Sequence, residues 1–141
     1  MQYRDLDRQF VRNYFLPRLA ALSTSRTSID QRCALVDEII SSSELRFSKI
    51  NKDLVNTKSN LNFDVFTDIC LVCGVPICAF LDKNSFVDVF LLKRRNAIAH
   101  GEDTFVGIED LDELTSQTVE MMRTFGDALE NHVCLKHYKS A

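Results

Sequence analysis

The sequence has no tryptophan, no apolar run long enough to span a membrane and no excess of basic residues. The last two absences each remove a class of protein. Without a spanning run, and with an opening Met1-Gln2-Tyr3-Arg4-Asp5-Leu6-Asp7 that alternates charge and shows no apolar signal core, a soluble cytoplasmic chain is expected, with no membrane partner. A formal charge of −3 argues against a general nucleic-acid coat, which carries an excess of Lys and Arg. It leaves room for an enzyme that needs only a local positive site. Part of the acidic excess lies in residues 109–113 and favours solubility. The ten phenylalanines read as core packing, with Phe105 the one placed to stack on a base.

Five cysteines are an odd number, and nothing in the sequence signals secretion, so a disulfide framework is not expected. Cys70-Leu71-Val72-Cys73, followed by Cys78, lacks the second Cys or His pair that a zinc site requires. These cysteines read as small buried hydrophobes. No metal and no cofactor are expected.

Strand-like alternation, internal repeats and low-complexity tracts are missing too, whereas helical periodicity runs through nearly the whole chain. With 141 residues, 45% of them hydrophobic, the chain can bury one core, so a single domain over 1–141 is expected. A first helix is predicted over about 3–22, with Leu6, Phe10 and Tyr14 along one side and Pro17 kinking or dividing it. Ser28-Ile29-Asp30-Gln31 has capping-box spacing. It predicts a second helix to about residue 50, with Ile29, Cys33, Val36, Ile40, Phe47 and Ile50 facing the core. After a polar loop over 51–62, Asn62 caps a third helix that carries Phe63, Phe66, Ile69 and Cys70 and stops at Gly74 before Pro76. A loop through Lys83 leads to a fourth helix over about 84–100, which Gly101 ends. Asp110 and Glu113 mark the start of the last helix, lined by Leu111, Leu114, Met121, Phe125, Leu129 and Val133. Lys136–Lys139 reads as a frayed basic tail. The fold class is all-α, an antiparallel bundle of about five helices.

The fourth helix is unusual at its end. Lys93-Arg94-Arg95-Asn96-Ala97-Ile98-Ala99-His100-Gly101-Glu102 sets permanent cations, an amide and a titratable imidazole where an apolar helix stops. At about 100° per residue, Asn96 and His100 share a face with Val89, while Leu91, Arg95 and Ile98 lie on another side and Arg95 stands about 140° from His100. One side can pack within the chain's own bundle. The other is expected to meet a second copy, in a symmetric homodimer that brings two Arg and two His into one cleft.

Arg95-Asn96-Ala97-Ile98-Ala99-His100 resembles the Arg-x(4–6)-His signature of the HEPN superfamily, in the version where Asn follows Arg. The run from Ser59-Asn60-Leu61-Asn62 to Gly101-Glu102 is similar to the MAE-type and RiboL-PSP-type HEPN domains of prokaryotic toxin–antitoxin and defence systems. That resemblance implies a helical dimer whose cleft carries both copies of the motif. It implies metal-independent endoribonuclease activity leaving a 2′,3′-cyclic phosphate, and an antitoxin or defence-system protein as partner. Some HEPN toxins carry His-x-Tyr, where the Tyr is modified by an antitoxin; here Glu102 holds that place and the next tyrosine is Tyr138.

For such a reaction His100 and Arg95 are the candidate catalytic residues. An imidazole, ordinarily titrating at about pH 6.5, can move a proton, and a guanidinium can hold phosphate oxygens. Asn96 can orient His100 or touch RNA, Arg94 can add positive field, and Glu102 is a weaker candidate base. Lys52 and Lys58 can meet phosphates from the 51–62 loop. Each residue also has a structural reading. His100 can serve as a helix-terminal cation, Arg95 as half of an ion pair, Asn96 as an interhelical hydrogen bond, Glu102 as a partner for Arg94 or Arg95, and the two lysines as solvated loop residues. The alternatives to an active nuclease are a catalytically idle HEPN module that dimerises or binds RNA, and a helical scaffold.

Overall fold

A computed structural model describes residues 1–23, 27–47, 52–57, 60–102 and 107–140. Ile50, Lys58 and Phe105, singled out above, lie outside them. The described residues are all-α, with only two isolated β-bridges. The helices are α1 (Arg8–Leu22), α2 (Ile29–Ile40), α3 (Phe63–Cys73), α4 (Arg94–Ala99) and α5 (Ile108–Cys134), joined by several 3-10 turns. Contacts divide the chain into two compact units, Met1–Val55 with His132–Ala141, and Asn56–Asn131.

In the first unit, α1 begins at Arg8 and not near residue 3. Tyr3–Asp5 form a 3-10 turn, Leu6 is extended, and the Asp7 carboxylate accepts the Gln9 N–H at 2.9 Å as an N-cap. The helix then continues through Pro17 without dividing. α2 starts with the expected capping box, Ser28 accepting from the Gln31 N–H while Gln31 accepts from the Ser28 N–H. It ends at Ile40, ten residues short of the expected end. There the Ser41 hydroxyl donates to the Asp37 carbonyl at 2.9 Å, the kind of side-chain bond by which serine competes with helix continuation.

The apolar stripe of α2 does not face the core. Ile29 is 76% exposed, Val36 54% and Ile40 75%, and Cys33 is exposed as well. The side turned to α1 carries Gln31, Ala34, Leu35 and Glu38, opposite Arg18, Ala21 and Leu22. Phe47 is not part of the helix. It packs beside Tyr3 and Phe10, with ring centroids 5.6 and 6.4 Å away. Tyr14 lies 4.9 Å from Tyr3, and its hydroxyl donates to Glu38, which also pairs with Arg18. Burial raises the Tyr3 and Tyr14 hydroxyl pKa values above the usual phenol range. The C-terminal tail is pinned down. The Tyr138 carbonyl accepts from the Asp7 N–H at 2.9 Å, and the Ser140 N–H donates to the Asp5 carbonyl at 3.1 Å.

The second unit holds the larger core, built from Phe63, Cys70, Phe80, Phe86, Val87 and Met121, with Phe66, Phe125 and Leu129 against it. The Phe66 ring lies 5.1 Å from Phe80 and 6.0 Å from Phe125. Burying each such ring is worth about 1.5–3 kcal/mol. Cys70 is fully enclosed here, and its thiol pKa is pushed up to about 11 by burial. α3 has the expected Asn62 cap, whose carbonyl oxygen accepts the Val65 N–H at 2.8 Å, and it ends at Gly74 with φ +76°. Ile77–Lys83, expected as loop, wind as 3-10 helix, and Lys83 reaches Glu120 of α5 at 2.8 Å. Along α5, Leu114, Met121, Phe125 and Leu129 serve the core as expected; Leu111 and Val133 are exposed instead.

Candidate active site

The segment that carries the motif does not wind as one α-helix. Phe86–Lys93 is π-helical, and α winding resumes at Arg94. A π segment bonds i to i+5 and turns less per residue than an α-helix, so faces counted at 100° per residue across 86–93 do not hold. Within Arg94–Ala99 the α geometry stands, and one protomer does not set Arg95 and His100 on the same face.

Asp88 sits in the π segment, and its carboxylate accepts the Phe63 N–H at 2.7 Å. The first turn of α3 thus has two anionic or polar caps, its own Asn62 and Asp88 from the motif segment. This holds the residues leading into α3 near the motif. One of them, Asn60, meets Arg95: Arg95 Nη1 donates to Asn60 Oδ1 at 2.6 Å and to Asn96 Oδ1 at 3.1 Å. Two amide oxygens therefore converge on one guanidinium nitrogen. The side chain is exposed, and among the described residues it forms no ion pair. A guanidinium so held has further N–H groups for an anion.

Arg94 is used differently. Its guanidinium lies over the Phe90 ring, 5.0 Å from the centroid, and Nη1 stands 3.3 Å from Asp110 Oδ2 at the start of α5. That nitrogen is buried and the approach lacks hydrogen-bond geometry, so the pair is held by charge and stacking. Arg94 joins the motif to α5.

The helix end follows a Schellman pattern. Gly101, at φ +72°, donates to the Ile98 carbonyl at 3.1 Å, and the Glu102 N–H donates to Ala97 at 2.9 Å. An added Cβ on Gly101 would meet nothing within 4 Å, so the positive φ alone calls for glycine. The His100 N–H takes the Asn96 carbonyl at 2.9 Å. With the carbonyls of Asn96, Ala97 and Ile98 satisfied by backbone, the His100 ring is not needed as their donor. The ring is exposed, and no hydrogen bond engages it among the described residues. Glu102 is exposed just past the cap.

Of the residues expected at the site, Arg95 and Asn96 are brought into contact. Arg94 turns to Asp110, and His100 and Glu102 lie at the open helix end. Asn60, Asp88 and Asp110 were not expected as site residues; Asn60 stands in the Ser59–Asn62 run that carries part of the resemblance, the one signal that pointed there. Lys52 is in a 3-10 turn of the first unit and exposed. Among the described residues no three Cys, His, Asp or Glu cluster as metal ligands, and no helix is long and apolar enough to cross a membrane.

The described residues are all-helical, and the motif helix ends in Arg-Asn-x-x-x-His with Arg95 and His100 exposed. The sequence matches the RiboL-PSP-HEPN family over residues 1–131, and the chain belongs to that family. No significant match was found among curated proteins or among solved structures.

Proposed function

We propose that this chain is a metal-independent endoribonuclease of HEPN type, acting in the cytoplasm as the toxin of a toxin–antitoxin pair or as a defence effector. The observation that carries the reading is a presented Arg95, held by Asn60 and Asn96, at the same helix terminus as an imidazole that no hydrogen bond engages among the described residues. In the reaction the ribose 2′-oxygen bonds to phosphorus as the bond to the 5′-oxygen breaks. One proton leaves the 2′-hydroxyl and one reaches the 5′-oxygen, giving a 2′,3′-cyclic phosphate and a 5′-hydroxyl. His100 is assigned a proton transfer and Arg95 the phosphorane charge. Asn96, by binding Arg95, is assigned the orientation of that side chain. Arg94 strengthens the local field, and Glu102 stands near enough in sequence to take part in proton exchange.

Arg95 and His100 diverge on one α-helix, so the site is completed by a second copy, each protomer supplying a motif helix to a shared cleft. Val89, Phe90 and Ile98, 52%, 38% and 58% exposed on the motif segment, offer apolar surface for that contact. An antitoxin or defence-system protein would restrain the dimer. The test is incubation of the purified chain with mixed RNA in chelator, beside Arg95→Ala and His100→Ala. Cutting that persists in chelator and falls by about 100-fold or more in each variant is expected. Both side chains are exposed, so circular dichroism should be unchanged. Cutting that survives both substitutions removes this site from the reaction. No cutting by any form, with RNA still bound, leaves an idle RNA-binding module. Sedimentation that finds only monomers at micromolar concentration ends the composite cleft.

A further inference from the structure

Beside Arg95, the second unit contains a groove of about 640 Å³. It is lined by Leu91 and Leu92 of the motif segment, Phe66 of α3, and Met121, Met122 and Phe125 of α5. Arg95 is the one charged residue among those described that line it, and Thr118 adds a hydroxyl. The Thr118 hydroxyl proton is committed to the Leu114 carbonyl at 2.7 Å, which leaves its oxygen as an acceptor.

We propose that this groove is the base pocket of the site: it receives the nucleobase next to the phosphate that Arg95 binds. The inference rests on the nuclease reading of Arg95. In a nucleotide, the base is one ribose away from its phosphate, so an anion on Arg95 brings a flat, largely apolar ring to the mouth of the groove. Phenyl rings and thioethers suit its faces, because every base has a π-surface that stacks without regard to sequence. The acceptor oxygen of Thr118 suits a base N–H at its edge. The volume lies within the range of about 300–1,000 Å³ common to small-ligand pockets, too large for a phosphate and sufficient for a base with its sugar.

Charge decides between this occupant and an apolar side chain from a second copy. A hydrocarbon plug would cover part of the exposed Arg95 guanidinium and bring no anion to it, which costs the cation part of its hydration. A nucleotide carries its own counter-charge to that rim.

The test is titration of the full chain, labelled at the methionine methyls, with adenosine 5′-monophosphate, cytidine 5′-monophosphate and ribose 5-phosphate. Either nucleotide is expected to bind at least tenfold tighter than ribose 5-phosphate and to shift Met121 and Met122. Met122→Trp, at a position 70% exposed and therefore tolerant, fills the groove. It should erase the advantage of the two nucleotides over ribose 5-phosphate. Arg95→Ala should weaken all three. In RNA, one abasic ribonucleotide next to a cleaved linkage should lower kcat/KM there at least tenfold in the native chain and little in Met122→Trp. Equal binding of nucleotide and sugar phosphate overturns the base pocket, even if RNA is cut. Methyl shifts that follow protein concentration and not nucleotide also overturn it, and place a second copy in the groove. If no RNA is cut, the nuclease reading fails while the methyl titration still decides the pocket.

Discussion

Helices α2 and α3 obey the same pattern and end in opposite situations. Each has a polar N-cap, Ser28 or Asn62, and each repeats apolar residues at helical spacing. The stripe of α3 is buried among phenylalanines of its unit, whereas Ile29, Val36 and Ile40 of α2 face outward. The difference lies in what each helix meets. α3 has Phe80 and Phe125 within ring contact of its own Phe66. α2 meets α1 through a mixed face in which Arg18, Glu38 and Tyr14 form a charged and hydrogen-bonded set. Amphipathic spacing therefore shows that a stripe exists, and the neighbouring element decides whether it is covered.

Three measurements would break or sharpen this contrast. The largest effect is expected in thiol chemistry, since each helix carries a cysteine. At pH 8 a thiol with a pKa near 11 is ionised in only about one molecule in a thousand, and Cys70 is enclosed as well. Cys33 is exposed. Alkylation followed by mass spectrometry should label Cys33 at least 100-fold faster than Cys70; because burial raises the Cys70 pKa, its rate should still be climbing with pH where an ordinary thiol has levelled off. Comparable rates would mean that the second unit opens readily.

Next in size is Phe80→Ala, which empties a site that is 1% exposed. A loss of about 3–5 kcal/mol is expected in denaturant unfolding. A loss below about 1 kcal/mol would show that this core is not the main source of stability. The smallest effect is expected for Val36→Ser on the outer face of α2, within about 0.5 kcal/mol of the native chain. A clear loss there, growing with protein concentration, would show that the α2 stripe is covered by another copy.

What could be read in advance was what local chemistry encodes. Ser28, Asn62, Gly74 and Gly101 bound their helices as expected, because caps depend on residues three or four apart. The family resemblance was legible in the Arg95–His100 spacing for the same reason. Features set by distant partners were not. Residues 136–140 lie beside the first turn of the chain through bonds that span more than 130 positions. The contact of Asn60 with Arg95 crosses 35 positions. The exposed side of α2 depends on α1, and no residue type in 86–93 announces π winding.

That winding has a consequence for how the motif is aimed. A stretch bonded i to i+5 holds one residue more per bonded ring than its neighbours do. Removing a single residue from 86–93 would let it tighten to ordinary pitch while leaving the flanking sequences intact. The helix end would then rotate about its axis, turning the Arg-Asn-x-x-x-His terminus away from the amide that grips it. The aim of this terminus is thus stored as a surplus residue upstream, where no substitution of a motif side chain would reveal it.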